Sequence, residues 1–304
     1  MMTNKRVVSN KIRDTAGDRI FYALNNLVLL IAVIICLYPI LYVAASSFSS
    51  PRAVASNQVV LWPVDPGVKG YITVFKNKDI VTGYTNTIIY TVVGTILNVI
   101  VTVLAAFGLS RRELVGYKGI NFLFAFTMWF SGGMIPNYML MNSLGLINTR
   151  WAMWLPGLIG IWNVIITRTF FQSGVPEEIY ESAMLDGCGY FRYFTDLVLP
   201  LSGAIVAVIT LFYAVNHWNA YFNAFLYINK KPLFPLQIIL RDILIQNQID
   251  HESMIDPGSS EFDYGLPDLL KYALIMVACV PVWLIYPFVQ KFFVKGVMVG
   301  AIKG

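Results

Sequence analysis

Six apolar segments, five of them plainly long enough to cross a lipid bilayer, constrain this chain more than any other feature. A helix needs about 20 residues to cross about 30 Å of hydrocarbon. Of the 304 residues, 57% are apolar and 13% are charged, against roughly 25% charged in ordinary soluble domains. The segments are residues 20–48, 84–110, 119–141, 151–167, 201–229 and 269–293. The sequence therefore predicts an all-α integral membrane protein with six transmembrane helices.

The first apolar segment has one competing interpretation, because Lys and Arg precede it and small residues follow it, as in a signal peptide. The apolar region of a signal peptide runs about 7 to 15 residues. Residues 27–48 make a run of 22. We therefore expect an uncleaved first helix.

The distribution of Lys and Arg orients the helices. With the N-terminus inside, the inner segments hold 13 of the 22 basic residues and eight of the 17 acidic residues, an excess of five positive charges. Basic residues accumulate on the cytoplasmic side of membrane proteins. Both termini are therefore predicted to be cytoplasmic, and the net charge of +5 needs no nucleic-acid partner to explain it.

This topology divides the chain into segments. We predict a cytoplasmic N-terminal segment (1–19), a first helix (20–48), an extracellular loop (49–83), a five-helix core (84–293) and a cytoplasmic tail (294–304). The core contains a cytoplasmic loop (168–200) and an extracellular loop (230–268). A loop as long as 230–268 is unusual unless it has a function or is disordered, and both alternatives stay open. Prolines and paired glycines within the helices either kink them for packing or shape a pathway between them.

Residues 176–200 form a charged segment between apolar ones. Pro176 suits a first helical turn, Glu177 and Glu178 complement the positive end of the helix dipole, and Gly187 ends the helix. Beyond Gly187, apolar residues recur at helical spacing, with Arg192 and Asp196 as an i,i+4 pair on another face. The apolar residues of this spacing are Tyr190, Phe191, Phe194, Leu197 and Val198. The sequence predicts two short helical arms joined by an elbow of small residues. Because so short a helix is unstable alone in water, it must be held against other elements.

Aromatic and amide side chains are dense in the fourth and fifth apolar segments, where unsatisfied polarity is costly. Such groups recognise sugars, since aromatic faces stack on sugar rings and amides pair with hydroxyls. They also serve as interhelical hydrogen bonds and interfacial belts. The candidates for a substrate path are Trp162, Asn163, Tyr213, Asn216, Trp218 and Asn219. For His217, packing or a single hydrogen bond is favoured over a ligand role.

No catalytic residue and no metal site is predicted. Neither a pair of acids, a His cluster nor a nucleophile–base spacing falls within the apolar segments. Their central portions also lack the acid or Arg that a secondary transporter or channel would use as its ion site. A secondary transporter or a channel, neither of which is driven by ATP, is kept as an alternative function for this chain.

Two motifs carry a resemblance to a known family. Glu181-Ser182-Ala183, Gly187 after three residues and Leu197-Val198-Leu199-Pro200 after nine more resemble the EAA loop of ABC importer permeases, with Ser182 and Leu197 as mild departures. The tail 292–304, with Asn216, Trp218 and Asn219, is similar to carbohydrate-type permeases of the maltose-transporter G-subunit kind. The resemblance extends from about residue 84 to the end and, more loosely, includes the first apolar segment.

The resemblance implies a type I ABC importer permease fold in a bacterial inner membrane, and import of a sugar or oligosaccharide. The coupling helix that would dock on a cytoplasmic ATPase is implied to hold Glu181, Ser182, Ala183, Met184, Leu185, Asp186 and Gly187. The chain lacks the Gly-x-x-x-x-Gly-Lys-Ser/Thr loop that cradles nucleotide phosphates. ATP and Mg²⁺ are therefore expected on a separate ATPase dimer, with no cofactor on this chain. Further expected partners are a second permease subunit, an extracellular or periplasmic sugar-binding protein, which loop 230–268 would contact, and membrane lipid.

Overall fold

The computed structural model describes residues 15–111, 113–253 and 265–301, and every regular element in them is helical. The α-helices are α1 (Ala16–Ser47), α2 (Pro51–Ala55), α3 (Lys69–Lys76), α4 (Lys78–Ser110), α5 (Tyr117–Trp129), α6 (Met134–Ser143), α7 (Trp151–Trp154), α8 (Ile161–Gly174), α9 (Glu177–Leu185), α10 (Tyr190–Tyr193), α11 (Leu199–Leu201), α12 (Gly203–Trp218), α13 (Phe222–Tyr227), α14 (Leu236–Ser253) and α15 (Leu266–Ala301). A π-helical turn (Phe194–Val198) joins α10 to α11, and a 3₁₀ turn (Lys231–Leu233) precedes α14.

Three of these helices are long and apolar enough to cross a membrane by themselves: α1, α4 and residues Leu266–Pro287 of α15. A fourth crossing arises if Tyr190–Leu201 and α12, which meet at 81°, act as one bent segment. The apolar side chains along most of α1 are exposed, and only its last turn is buried, where it packs on α2 and α15. Such a surface suits lipid or another membrane subunit.

The third and fourth predicted membrane helices are broken, and so is the fifth, which is divided into α12 and α13 at residues 219–221. α5 ends at Trp129 and α6 begins at Met134, with Gly133 between them in the left-handed region (φ 86°). α7 and α8 are separated by residues 155–160, which include Pro156 and Gly157 (φ 86°). Proline lacks a backbone N–H and glycine tolerates positive φ, so the α5–α6 and α7–α8 breaks occur at residues that favour them.

α4 is the central helix, in contact with α8, α12 and α14. Its buried face carries small and polar residues, and these bind the open backbone of neighbouring segments. Asn98 Nδ2 donates to the carbonyls of Gly157 and Leu158, both at 2.8 Å, and so caps the α7–α8 break. Asn86 Nδ2 donates to the Pro232 carbonyl at 2.7 Å, on the segment before α14. In lipid, irregular backbone persists only with such internal partners.

The predicted extracellular loop 230–268 differs from expectation, because residues 236–253 form helix α14. Pro235 immediately precedes this helix, a position that tolerates its missing N–H, so it does not prevent the helix from forming. Leu236 is fully buried, and Ile239 and Ile243 pack with it against α15. The acidic residues between positions 254 and 264 lie outside the described residues, as do residues 1–14 and 302–304 at the termini.

Candidate functional site

The candidate coupling helix is α9, and its ends are set by local sequence. Pro176 precedes it with extended backbone, and Glu177 and Glu178 occupy the first turn. At the other end, Gly187 has a φ of +75°, its N–H donates to the Met184 carbonyl at 3.0 Å, and the Cys188 N–H donates to the Ala183 carbonyl at 2.9 Å. This pair of bonds is the Schellman termination, in which a left-handed glycine stops the helix. The helix therefore ends at a rigid elbow.

The surface of α9 is divided between the protein and its surroundings. Tyr180 and Ala183 are buried in an apolar cluster that also holds Phe171 and Val175 of the α8 end, and Met184 packs partly against it. Leu185, by contrast, is 90% exposed. The remaining predicted residues, Glu181, Ser182, Asp186 and Gly187, are also exposed. Ala183 thus serves to anchor the helix, while Leu185 is its most protruding apolar group.

The second arm runs through α10, the π turn and α11. The predicted Arg192–Asp196 pair is present, with Arg192 Nε 3.3 Å from Asp196 Oδ2. Phe194 and Val198 are buried as expected from the spacing, whereas Phe191 is 77% exposed. Tyr193, which is not part of that spacing, is also buried, at 1% exposure. The π turn begins at the next residue, Phe194, and the apolar spacing did not indicate this irregular turn.

The structure divides the six substrate-path candidates into buried and accessible residues. Tyr213 is buried, shares a hydrogen bond of 2.7 Å with Thr102 and accepts one of 3.0 Å from the Gly160 N–H. Trp218 is buried too, and its Nε1 donates to the Ala278 carbonyl of α15 at 2.9 Å. Asn163 is half-buried, and the accessible candidates are Asn216, Asn219 and Trp162.

A concavity of about 740 Å³ lies between α6 and the α12–α13 region. Three amide side chains, Asn137, Asn216 and Asn223, line it together with apolar residues. Asn219 lies beside it in an adjoining depression that shares Asn216 and Asn223. Of the six candidates, the structure therefore brings Asn216 and Asn219 together. Asn137 and Asn223 join them on the same wall. Both carry an amide side chain within a predicted membrane helix, and this signal was visible in the sequence.

His217 has the single hydrogen bond that the sequence favoured. Its Nε2 lies 2.7 Å from Asn98 Oδ1, within the α4–α12 contact. Gly94 allows this approach, because a Cβ at that position would lie 2.5 Å from His217 Nε2. The histidine therefore belongs to helix packing.

Comparison with known proteins identifies the family. No family model matches the chain. Polygalacturonan/rhamnogalacturonan transport system permease protein YtcP of Bacillus subtilis (strain 168) is 40% identical, over 94% of this chain and 99% of the relative. Protein LplC of the same organism is 36% identical, over 96% and 98%. The chain belongs to the permeases of carbohydrate ABC importers.

The solved structure of a bacterial ABC transporter that imports the acidic polysaccharide alginate contains a similar chain. The two share 33% identity and a TM-score of 0.83, over 93% of this chain and 99% of the other. The family and the sugar-import function expected from the EAA loop and the tail are thus confirmed. This carbohydrate ABC permease is all-helical in its described residues, as predicted. The number of membrane crossings and the role of α9 stay predictions.

Proposed function

We propose that this permease is one of two membrane subunits driven by a separate cytoplasmic ATPase dimer, which binds ATP and Mg²⁺. The helix that docks on this ATPase in our proposal is α9. The division of the α9 surface carries the proposal. Tyr180 and Ala183 fasten one face to the protein, whereas Leu185 projects from the other with 90% of its surface exposed. A helix of nine residues is unstable alone, so the anchored face holds it ready for a partner.

The proposed location of this chain is the inner membrane of a bacterial cell. In the proposed topology the chain crosses this membrane six times, and both of its termini lie in the cytoplasm. α1, α4 and α15 each cross alone. α5, with 13 residues, is about 20 Å long and crosses only together with α6; the pairs α7–α8 and α12–α13 cross in the same way. This count places α9 between the fourth and fifth crossings on the positive, inner side.

The docking test uses the Leu185→Cys variant in a chain whose three native cysteines are replaced by serine. In membranes that also contain the ATPase, a short thiol crosslinker is expected to join Leu185→Cys to the ATPase. Lys118→Cys, an exposed position at the start of α5, is the matched control and should give no product. If Leu185→Cys never reaches the ATPase, or if uptake proceeds without nucleotide, the docking proposal is wrong and a transporter not driven by ATP is favoured.

The proposed substrate path runs along the concavity of Asn137, Asn216 and Asn223. Amides arranged on an otherwise apolar wall can pair with hydroxyl groups while ring faces contact the apolar residues. Asn219 lies on the accessible side of this wall, in the adjoining depression, and the second permease subunit would complete that side. Trp162 is exposed on α8 but lines neither concavity. The buried Tyr213 and Trp218 would shape the wall from behind, since their polar atoms are already bound by the protein.

We further propose that the cargo, delivered by an extracellular sugar-binding protein, is an oligosaccharide that carries uronate groups. Two similar proteins, at 40% and 33% identity, are named for the transport of polygalacturonan or rhamnogalacturonan and of alginate, which are acidic polysaccharides. Relatives at 25% and 24% identity are named for the neutral arabinooligosaccharides and melibiose, raffinose and stachyose. The Arg241 guanidinium pairs with Asp242 on its own helix, Nη1 to Oδ1 3.4 Å. It also lies 4.8 Å from the Phe225 ring centre and 5.9 Å from that of Tyr221, a residue that borders the Asn216–Asn219 depression. A cation held there suits a carboxylate.

The cargo is tested with the reconstituted complex and its binding protein. Oligogalacturonate is expected to raise ATP hydrolysis several-fold. The matched control is the same oligosaccharide after its carboxylates have been reduced to alcohols, which leaves chain length unchanged and should give little stimulation. Equal stimulation by both, or stimulation by the reduced sugar alone, would show that charge does not define the cargo.

A further inference from the structure

The guanidinium of Arg111, just beyond the end of α4, is enclosed by three aromatic rings. Its Cζ lies 4.7 Å from the ring centre of Tyr180, 4.8 Å from that of Tyr193 and 5.3 Å from that of Phe107. Its Nη2 also donates to the Tyr193 hydroxyl at 3.1 Å. Cations within about 6 Å of a ring centre are attracted by the ring quadrupole, most strongly where water is excluded. One side chain thus joins α4, the anchored face of α9 and the second arm.

The acid two residues beyond Arg111, Glu113, binds two tyrosines, and no ion pair joins it to Arg111 among the described residues. Glu113 Oε2 accepts from the Tyr190 hydroxyl at 2.7 Å and from the Tyr180 hydroxyl at 3.1 Å. These bonds, with a smaller contribution from the Arg111 charge, lower the pKa of Glu113, so that the carboxylate stays ionised at neutral pH. Arg111 therefore contacts the ring face of Tyr180 and Glu113 binds its hydroxyl, so both parts of this side chain are held by the segment that connects α4 to α5.

Arg111 Nε is buried and has no hydrogen-bond partner among the described residues. Withdrawing part of a cation from water is costly. Arg111 is half-buried, and the aromatic faces and one hydroxyl compensate its charge except at Nε. An apolar side chain could fill the same space without this cost, so the charge points to a role beyond stabilising the fold.

The position of Arg111 connects α9 to the helix that supports the proposed path. α4 contacts α8 and α12, its Asn98 caps the α7–α8 break, and its Thr102 binds Tyr213 behind the concavity. A displacement of Tyr180 with α9 would act first on the Arg111 end of α4 and then on these contacts.

We propose that Arg111, held by Tyr180 and Tyr193, is the positioning residue through which movement of α9 is passed to α4. This inference rests on the proposed docking of α9 on the ATPase. It requires a planar guanidinium, because an ammonium cannot stack on two rings in the same way. Arg111→Lys is therefore expected to be only partly active.

The test uses the complete complex in proteoliposomes and measures sugar transported per ATP hydrolysed. Arg111→Gln is expected to retain co-assembly with the ATPase and the Leu185→Cys crosslink, and to hydrolyse ATP within about twofold of wild type. Its transport per ATP should fall about tenfold, within the usual range of coupling between two sites. Tyr193→Phe keeps the ring and should lose about twofold, whereas Tyr193→Leu removes the ring and should resemble Arg111→Gln.

Lys118→Gln is the matched control, since it removes one positive charge from an exposed position at the start of α5; it should transport normally. Normal transport per ATP in Arg111→Gln, with the crosslink intact, would show that Arg111 does not pass movement of α9 to α4. It would leave the docking of α9 on the ATPase in place. Absence of the Leu185→Cys crosslink in the chain that keeps Arg111 overturns docking itself. If Arg111→Gln fails to assemble, the proposal is tested with Arg111→Lys and Tyr193→Leu instead. Wild-type transport per ATP in an assembled complex of either variant overturns the proposal.

Discussion

At the scale of single residues, the interior depends on polar groups that meet backbone groups released by helix breaks. Asn98 binds two carbonyls of the α7–α8 break with its Nδ2 and His217 with its Oδ1, so one amide is fully used. Its neighbour one turn earlier, Gly94, allows the His217 ring to approach. Small residues at such contacts let helices pack closely in membranes. At this point of α4, the close contact with α12 is therefore what allows Asn98 and His217 to form their hydrogen bond.

The Gly94→Ala variant tests this close approach. A methyl group there would lie 2.5 Å from His217 Nε2, so the α4–α12 contact must widen. We expect a loss of about 1–3 kcal/mol in the free energy of unfolding, measured by thermal unfolding in detergent. Gly108→Ala, in the same helix with no atom within 4 Å of the new methyl, is the control and should be neutral or slightly stabilising. Equal thermal stability of the two variants would show that the contact is not tight.

At the scale of elements, the two arms differ in how far the sequence predicted them. α9 was predicted with both ends nearly in place, because Pro176, the acidic first turn and Gly187 are local signals. The apolar spacing of the second arm includes the buried Phe194 and Val198, but it also includes the exposed Phe191 and omits the buried Tyr193. The π turn of this arm lies where Tyr193 and Phe194 pack against Phe107 of α4, and no local pattern reports a contact with so distant a residue.

Gly187→Val tests the elbow of α9. The backbone at Gly187 is left-handed (φ +75°), which costs a β-branched residue about 1–3 kcal/mol. We expect normal membrane insertion but reduced co-purification with the ATPase, since the end of α9 must rearrange. Gly189 lies two residues away with a φ of −75° and no atom near its Cβ position, so Gly189→Val should co-purify normally. Unchanged co-purification of both variants would argue against a role of the elbow in docking.

At the scale of the whole molecule, α4, α12 and α15 form a connected frame on which the shorter helices are placed. Trp218 links two members of this frame, with its Nε1 bound to the Ala278 carbonyl and its ring 5.7 Å from that of Tyr84. Asn219, the next residue, is exposed and bonds only its own helix, at the Val215 carbonyl. Two adjacent path candidates thus have different environments.

This difference predicts different phenotypes for two alanine variants. Trp218→Ala should lower the unfolding free energy by about 3–5 kcal/mol, as for other buried Trp residues, and should reduce uptake through loss of folded complex. Asn219→Ala should leave thermal unfolding unchanged and reduce uptake by the assembled complex. Thermal unfolding in detergent and transport per assembled complex separate the two effects. Normal uptake by Asn219→Ala would remove this residue from the path.

The sequence by itself determined the class of the molecule, the location of its apolar segments, the limits of α9 and its family. These properties depend on composition, on hydrophobic length and on capping residues, all of which act within a few turns of chain. Only the tertiary structure decided that three predicted membrane helices are broken, that residues 236–253 are helical, and that Arg111 meets Tyr180 and Tyr193. These features depend on partners brought together from distant positions, whose contacts compensate local costs that no short stretch of sequence can reveal.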